Sequence, residues 1–428
     1  MSRAGLSRLG QRIQEPAISW LMKLTLSQPG MASLAAGFTD NLSLPVEAVR
    51  EIVESVLARP RLGRAALQYG STAGDESLRD LTSQHLRASD MEASGKPQPS
   101  SLYSPDRLLI THGSQQLLYL CTEALCDEGD WVLVEDPTYF VYLGILRSRG
   151  VRARGVRMRA DGLDLAHLEE VLESMKASGE LRRLKMIYSV TYFQNPSSIT
   201  TCFAKKKAAL ALLKRYESAA GHPLYYLEDA AYRELRFAGD DVSSALVAPR
   251  GASRVLYAGT YSKPFASGAR VGFGLLPEPV FTAVLRIKGN HDFGTSNFLQ
   301  QLLAEALARG HFRKHLPRLR ARYASKRAVM TQAIRERFPS GVRWEDPQGG
   351  LYVWATLPSR CPTGFQSRFF KQALAAKVLY VPGDLCYASD RSRRPSRSSM
   401  RLSFGGSEES GIRTGIERLG RLMEKHKL

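Results

Sequence analysis

No two cysteines of this 428-residue chain stand in a CxxC arrangement, and their number, five, is odd. Zinc cages and disulfide frameworks need paired thiols, so neither is expected, and a reducing cytoplasm fits best. Histidine is sparse as well. His311 and His315 could share a helix face, but HFRKH lacks the glutamate of HExxH and a third ligand. The pair reads as surface residues, and no metal is expected. No apolar run is as long as a membrane span, and MSRAGLSRLGQRIQ at the start lacks the apolar core of a secretory signal. Acids are short too: 41 stand against 60 Lys and Arg, a formal charge of +19. Such an excess can draw anions or nucleic acid. The basic residues fall in helix-like AKKKAALALLKRY (204–216) and HFRKHLPRLRARYASKR (311–327), and in the loop-like DRSRRPSRSS (390–399). No helix-turn-helix, zinc-finger or RNP-type pattern accompanies them, so solvated faces are expected and no nucleic-acid partner.

What is present is an alternation of strand-like and helix-like segments from about residue 105. RLLIT is followed by the helical SQQLLYLCTEAL, WVLVED leads through a proline turn into YFVYLGILRSR, and VRARGVRM precedes DLAHLEEVLESM. LKMIYSV, an amphipathic 203–216, LYYLED and a strand pair around Lys263 continue the series. This predicts an α/β fold, a mostly parallel sheet with flanking helices. Residues 297–337 read as helical almost throughout. The strands in GVRWEDPQGGLYVWATLP, VLYVPG and MRLSFGG then predict a smaller α+β domain. The expected division is 46–310 for the large domain and 311–428 for the small one, which residues 1–45 rejoin.

Ligands on an open parallel sheet bind outside the carboxyl ends of its strands. After RLLIT comes HGSQQ, where Ser114 and Gln115 open a helix whose free amides favour an anion. After WVLVED, PTY places Tyr139 as an aromatic platform; after LKMIYSV, TYFQNP offers Asn195. LYYLED leads to Asp229 and, in DAAY, Tyr232, while GTYSKPFASGARVGF (259–273) supplies Thr260, Ser262, a single lysine, Lys263, and Arg270. Each motif alone has a plain structural reading as an N-cap, a turn or a locally satisfied acid. Together they form a phosphate cradle, a ring platform, an acid, a hydroxyl and one amine. Pyridoxal 5′-phosphate needs that set: its aldehyde condenses with a lysine, its ring nitrogen needs an acid, and its phosphate needs donors and an arginine.

With GSQQ, EDPTY, QNP, EDAAY, SKPFASGAR, PQGGLYVW and RLSF in this order, the chain resembles the fold-type I pyridoxal-phosphate enzymes of the class I/II aminotransferases. It is similar in particular to the group that includes 2-aminoadipate and kynurenine aminotransferases and the aminotransferase-like domain of MocR regulators. The likeness extends from SLAAGFTDNLSLP (33–45) through LQYGSTAGDESLRDLTSQHL (67–86) to RLSFGG (401–406). The resemblance implies that Ser114, Gln115, Thr260, Ser262 and Arg270 hold the phosphate and that Tyr139 stacks on the ring. Asn195 and Tyr232 would bond the ring's phenolic oxygen, and Asp229 its nitrogen. Lys263, Asp229 and Tyr232 form the implied catalytic set. Arg401 would clamp the substrate α-carboxylate, with Asn195 and Gly37 beside it. Tyr69 would cross to the neighbouring subunit of a homodimer and reach the phosphate there.

The implied reaction moves an amino group from an L-amino acid to a 2-oxo acid by a ping-pong route. Three departures from the family pattern lie near the ring: Thr191 where proline is usual, and Ser197 and Ser198 where threonine-glycine follows QNP. A fourth lies in the helix ISWLMKLT, where Ser19 aligns with an arginine found in members acting on acidic side chains. A neutral, aromatic or branched donor is therefore favoured. The same cofactor frame also supports β-elimination, decarboxylation and oxidation. A MocR-like ligand-sensing regulator is the alternative outside enzymes, but the stretch before ISWLMKLT is too short for a winged-helix domain.

Overall fold

The computed structural model describes residues 5–13, 15–390 and 395–428, so the centre of the basic loop 390–399 lies outside the described residues. Its strands are β1 (Ala32–Ser33), β2 (Leu108–Thr111), β3 (Trp131–Asp136), β4 (Arg152–Arg159), β5 (Gly162–Leu163), β6 (Leu184–Val190) and β7 (Tyr225–Asp229). They continue with β8 (Val255–Thr260), β9 (Gly272–Leu275), β10 (Arg343–Trp344), β11 (Tyr352–Thr356), β12 (Val378–Leu379), β13 (Val381–Pro382) and β14 (Ser399–Ser403).

Every residue of β3, β7 and β8 is buried. That is why these segments read as continuous apolar runs: helices cover both faces of a parallel sheet. The sheet runs β2-β9-β8-β7-β6-β3-β4-β5. β4, β3, β6, β7 and β8 are parallel neighbours, joined through helices such as Phe140–Arg149 and Phe203–Ala220. One central strand runs the other way. β9 is antiparallel to both neighbours, and Gly272 at its start pairs with Thr111 at the end of β2 and with Thr260 at the end of β8. Reversal thus carries the residues just before β9 to the same edge as the carboxyl ends of β2 and β8.

A four-stranded antiparallel sheet, β10-β11-β14-β13, forms the smaller layer, and β1 pairs in parallel with β12. The N-terminal segment after β1 is pinned by an ion pair between Asp40 and Lys326, both wholly buried. Lys326 also donates to the Gly405 carbonyl at 2.9 Å. Under the large sheet, Lys206 and Glu228 form a second fully buried pair at 2.9 Å.

The stretch 297–337 is two helices, Asn297–Ala308 and His311–Arg337, separated at Gly310, whose φ of 73° takes the left-handed turn that stops a helix. His315 is not the surface residue its spacing suggested. It is half-buried, its ring stands edge-on to Phe265 at 5.8 Å, and burial holds its pKa below the ordinary value.

Candidate active site

The reversed strand builds the anion-binding corner. The helix Gly113–Leu125 starts directly beyond β2, so Ser114 and Gln115 lie in its first turn, where backbone amides have no helical acceptor. Arg270, two residues before β9, adopts a left-handed φ of 50° and donates from Nη1 to Ser262 Oγ at 3.0 Å. Ser262 in turn donates its backbone N–H to Thr260 Oγ1 at 3.1 Å. Glycine is required on both sides of the corner. A Cβ on Gly113 would come within 2.7 Å of the Arg270 guanidinium, and one on Gly272 within 2.4 Å of the Ser114 amide nitrogen.

Lys263 sits just past Ser262 and donates its Nζ to the Gly37 carbonyl at 2.6 Å. Burial holds its amine below the ordinary lysine pKa, and the Arg401 and Arg270 guanidiniums press the same way. Asp229, at the end of β7, accepts from Tyr188 Oη at 2.9 Å and from the Ala231 amide at 3.1 Å. Burial pushes its carboxyl up to about 6. Among the described residues, Asp229 has no ion-pair partner, and neither have Lys263, Arg270 or Arg401. Three cations and one acid, each without a counter-ion, therefore line one cleft of about 500 Å³.

Arg401 lies in the middle of β14, on the same face as Tyr352 of β11, so its guanidinium sits over the Tyr352 ring at 4.2 Å from the centroid. Its Nη1 donates to Asn195 Oδ1 at 2.9 Å and its Nη2 to the Ala35 carbonyl at 2.7 Å, while Nε is buried with no partner. Asn195 passes the link on, donating from Nδ2 to Tyr232 Oη at 3.0 Å, and the Tyr232 and Tyr352 hydroxyls lie 3.1 Å apart. Gly37 must stay bare, since a Cβ there would stand 2.7 Å from Tyr352 Oη.

The loop carrying Asn195 is stapled by residues that departed from the family pattern. Thr191 donates to Glu228 at 2.8 Å, Ser197 donates its amide and hydroxyl to Gln194 Oε1 at 2.8 and 2.6 Å, and Ser198 donates to the Tyr352 carbonyl at 2.7 Å. Gln194 is the hub, donating to Glu135 at 2.9 Å and to the Pro137 carbonyl at 2.6 Å.

The cleft brings together Gly37, Ser114, Gln115, Tyr139, Asn195, Asp229, Tyr232, Thr260, Ser262, Lys263, Arg270 and Arg401. It does not bring in Tyr69, which is 83% exposed and packs edge-on against Phe293 at 5.5 Å. Sequence reasoning missed Tyr188, Gln194 and Tyr352. Tyr352 stands inside the PQGGLYVW motif, and Tyr188 lies on the strand beside that of Asp229, paired with Leu227. In the helix Ala17–Ser27, Ile18 and Met22, one turn apart, line the cleft, and Ser19 lines an adjoining cavity that Ile18 also borders.

Known proteins share this frame. The family model described as aminotransferase class I and II matches residues 30–419. The aromatic-amino-acid aminotransferase 1 of Thermococcus litoralis is 32% identical over 97% of this chain and 93% of its own length. Among solved structures, the kynurenine aminotransferase of Pyrococcus horikoshii, in complex with PMP, superposes with a TM-score of 0.87 at 28% identity, covering 99% of this chain and 97% of that one. The α-aminoadipate aminotransferase of Thermus thermophilus, complexed with N-(5′-phosphopyridoxyl)-L-leucine, does so with a TM-score of 0.82 at 30% identity, covering 98% and 97%. A family match over nearly the full length thus falls on a chain whose strand ends already converge on one amine, one acid and two arginines, and the chain belongs to the class I and II aminotransferases.

Proposed function

We propose that this aminotransferase uses pyridoxal 5′-phosphate to move the amino group of a neutral L-amino acid to a 2-oxo acid. The observation that carries the reading is the cleft's set of unpaired charges. The corner of Arg270, Ser262, Thr260 and the Ser114 and Gln115 amides suits a phosphate. A buried carboxyl lifted to about 6 suits a cationic ring nitrogen, which would draw it back down. Asn195 and Tyr232 would hold the phenolic oxygen, with Tyr139 against the ring.

When bound, the cofactor supplies an aldehyde that condenses with amines and a ring that accepts the electron pair left as the α-proton departs. The protein supplies the rest. Lys263 Nζ, whose basicity burial lowers, would take the α-proton of the substrate and hold it for return. Arg401 orients the substrate, its spare Nε adding a donor to the fork that receives the α-carboxylate. The test is a half-reaction screen that follows each amino acid's conversion of the cofactor from aldehyde to amine. Aromatic and branched donors should react; reaction with acidic donors alone would overturn the neutral assignment.

The two arginines should separate binding from loading. Arg401→Ala removes one partner of a buried charge pair, which costs about 2–5 kcal/mol. The amino-acid KM should therefore rise by roughly 30- to 5000-fold, with cofactor retention unchanged. Arg270→Ala should instead weaken retention in a cofactor titration. Equal behaviour of the two variants would refute the division.

The working unit in this proposal is a homodimer in the cytoplasm, with residues 46–310 as the large domain and 311–428, joined by 1–45, as the small one. Tyr69, Leu67 and Phe293 support the dimer: they are 83%, 72% and 57% exposed on one chain, an apolar group suited to a partner. Tyr69 then serves the neighbouring site. Mixing Tyr69→Ala with Lys263→Ala chains should restore activity, because the mixed dimer holds one site with every native side chain. Activity no higher than that of Tyr69→Ala alone would exclude sharing.

A further inference from the structure

Two residues of the loop that carries Asn195 have left-handed backbones although neither is glycine: Phe193, with a φ of 44°, and Ser198, with a φ of 62°. Side chains are disfavoured in that region, so contacts around the loop must hold it there. Both residues meet the stretch 349–352. The Phe193 ring lies so close to Gly349 that a Cβ there would stand 2.5 Å from it, and Ser198 donates from Oγ to the Tyr352 carbonyl at 2.7 Å. Glycine, usual at position 198 in the family pattern, would adopt this φ without strain but has no hydroxyl to donate.

That hydroxyl is not needed to hold the loop together. The Gln194 side chain does so through Glu135, the Pro137 carbonyl and Ser197, while the Gln194 carbonyl accepts from the Ser198 amide at 2.6 Å and the Gln194 amide donates to the Ile199 carbonyl at 2.9 Å. The Ser198 side chain acts outward instead, on β11. The Leu351 carbonyl accepts from the Phe404 amide at 3.0 Å, on the side of β14, so the next carbonyl along, that of Tyr352, faces the opposite edge. β10 covers that edge only at Ala355 and Thr356. At the buried Tyr352, Ser198 takes the place of a strand neighbour.

Tyr352 is the platform of the substrate clamp. Its ring lies 4.2 Å from the Arg401 guanidinium, and its hydroxyl lies 3.1 Å from that of Tyr232. Asn195, three residues before Ser198, accepts from Arg401 and donates to Tyr232. One loop therefore holds the clamp twice, at the guanidinium through Asn195 and at the platform beneath it through Ser198. We infer that Ser198 is a positioning residue for the substrate α-carboxylate, its hydroxyl fixing β11 where Tyr352 supports Arg401. The inference rests on the aminotransferase reading of Arg401.

Ser198→Ala removes the hydroxyl and keeps the strained backbone, whereas Ser198→Gly removes both, so that a variant free of strain is also tested. Three measurements are made: steady-state kinetics with the fastest donor of the half-reaction screen, calorimetric binding of propionate and 3-phenylpropionate to the loaded enzyme, and a cofactor titration. Both variants should raise the amino-acid KM by about fivefold or more, because a buried carbonyl loses its partner and the clamp loosens. The affinity for the two carboxylates should fall by a similar factor, with kcat within about twofold of wild type and cofactor affinity unchanged. An unchanged KM and carboxylate affinity, or a loss of kcat or cofactor affinity as large as the rise in KM, would overturn the assignment while leaving amino transfer intact. If wild type converts no amino acid but carboxylate binding weakens in both variants, Ser198 keeps its role on Arg401 and the aminotransferase reading fails. Wild type binding neither carboxylate would remove Arg401 as the clamp, and Ser198 with it.

Discussion

Lys263→Ala should abolish turnover, with a loss of about 10⁴-fold or more, because one side chain would both anchor the cofactor and carry the proton. Among the described residues, no other lysine lines the cleft. Lys206, Lys288 and Lys326 are each fully buried and each paired with a carboxylate, namely Glu228, Asp292 and Asp40. Lys263 has only the Gly37 carbonyl, and its amine faces the cleft. Borohydride reduction of the wild type should fix the cofactor to the peptide bearing Lys263, and the variant should yield no labelled peptide. Label on another lysine, or substantial residual turnover, would refute the assignment.

Asp229→Asn should lower turnover by about 10³-fold or more while changing the amino-acid KM by less than about tenfold. The amide has the same shape and keeps one acceptor oxygen, which can serve the Ala231 amide while Nδ2 donates to Tyr188 Oη, and Arg401 is untouched. What disappears is the buried negative charge. A carboxyl that burial lifts to about 6, against the Tyr188 and Ala231 hydrogen bonds, ionises beside a cation, and in exchange it holds that cation's proton. A neutral amide gives no such return, so electron withdrawal from the α-carbon weakens without loss of substrate binding. Steady-state kinetics with one amino acid checks both parts. Near-normal kcat would remove Asp229 from the chemistry, and a collapse confined to KM would make it a binding residue.

The large sheet was legible because strands buried on both faces read as unbroken apolar runs, each ending in a polar motif. The site was legible for the same reason: Asp229 ends such a run, and Tyr139, Asn195 and Lys263 follow within five residues of the end of one. The unread parts depend on partners far away in sequence. Tyr352 lies under Arg401 because β11 and β14 pair in one register, and pairing leaves no mark on either strand alone. Gln194 reads as a turn residue, and its hub role needs Glu135 from another strand. Helix rotation escaped as well: in ISWLMKLT a step of one residue turns the helix by about 100°, which separates Ser19 from the inward Ile18 and Met22. The stop at Gly310 carries no proline, and a lone glycine within a helical pattern is weak evidence of an end.

The reversed direction of β9 also sets when the site can come into being during synthesis. Among the described strands β2 pairs with β9 alone, so the strand at residues 108–111, apart from the bond of Ile110 N–H to the Ala73 carbonyl at 2.9 Å, has no strand neighbour until residues 272–275 have been made. Everything between, including the parallel strands with their short-range helical crossovers, can collapse first, while β2 and the helix start behind it wait for a distant partner. The anion corner is therefore complete only once β9 lies between β2 and β8. Arg401 and Tyr352 lie later still along the chain. The growing polypeptide would thus be able to capture a phosphorylated ring before it could hold an amino acid.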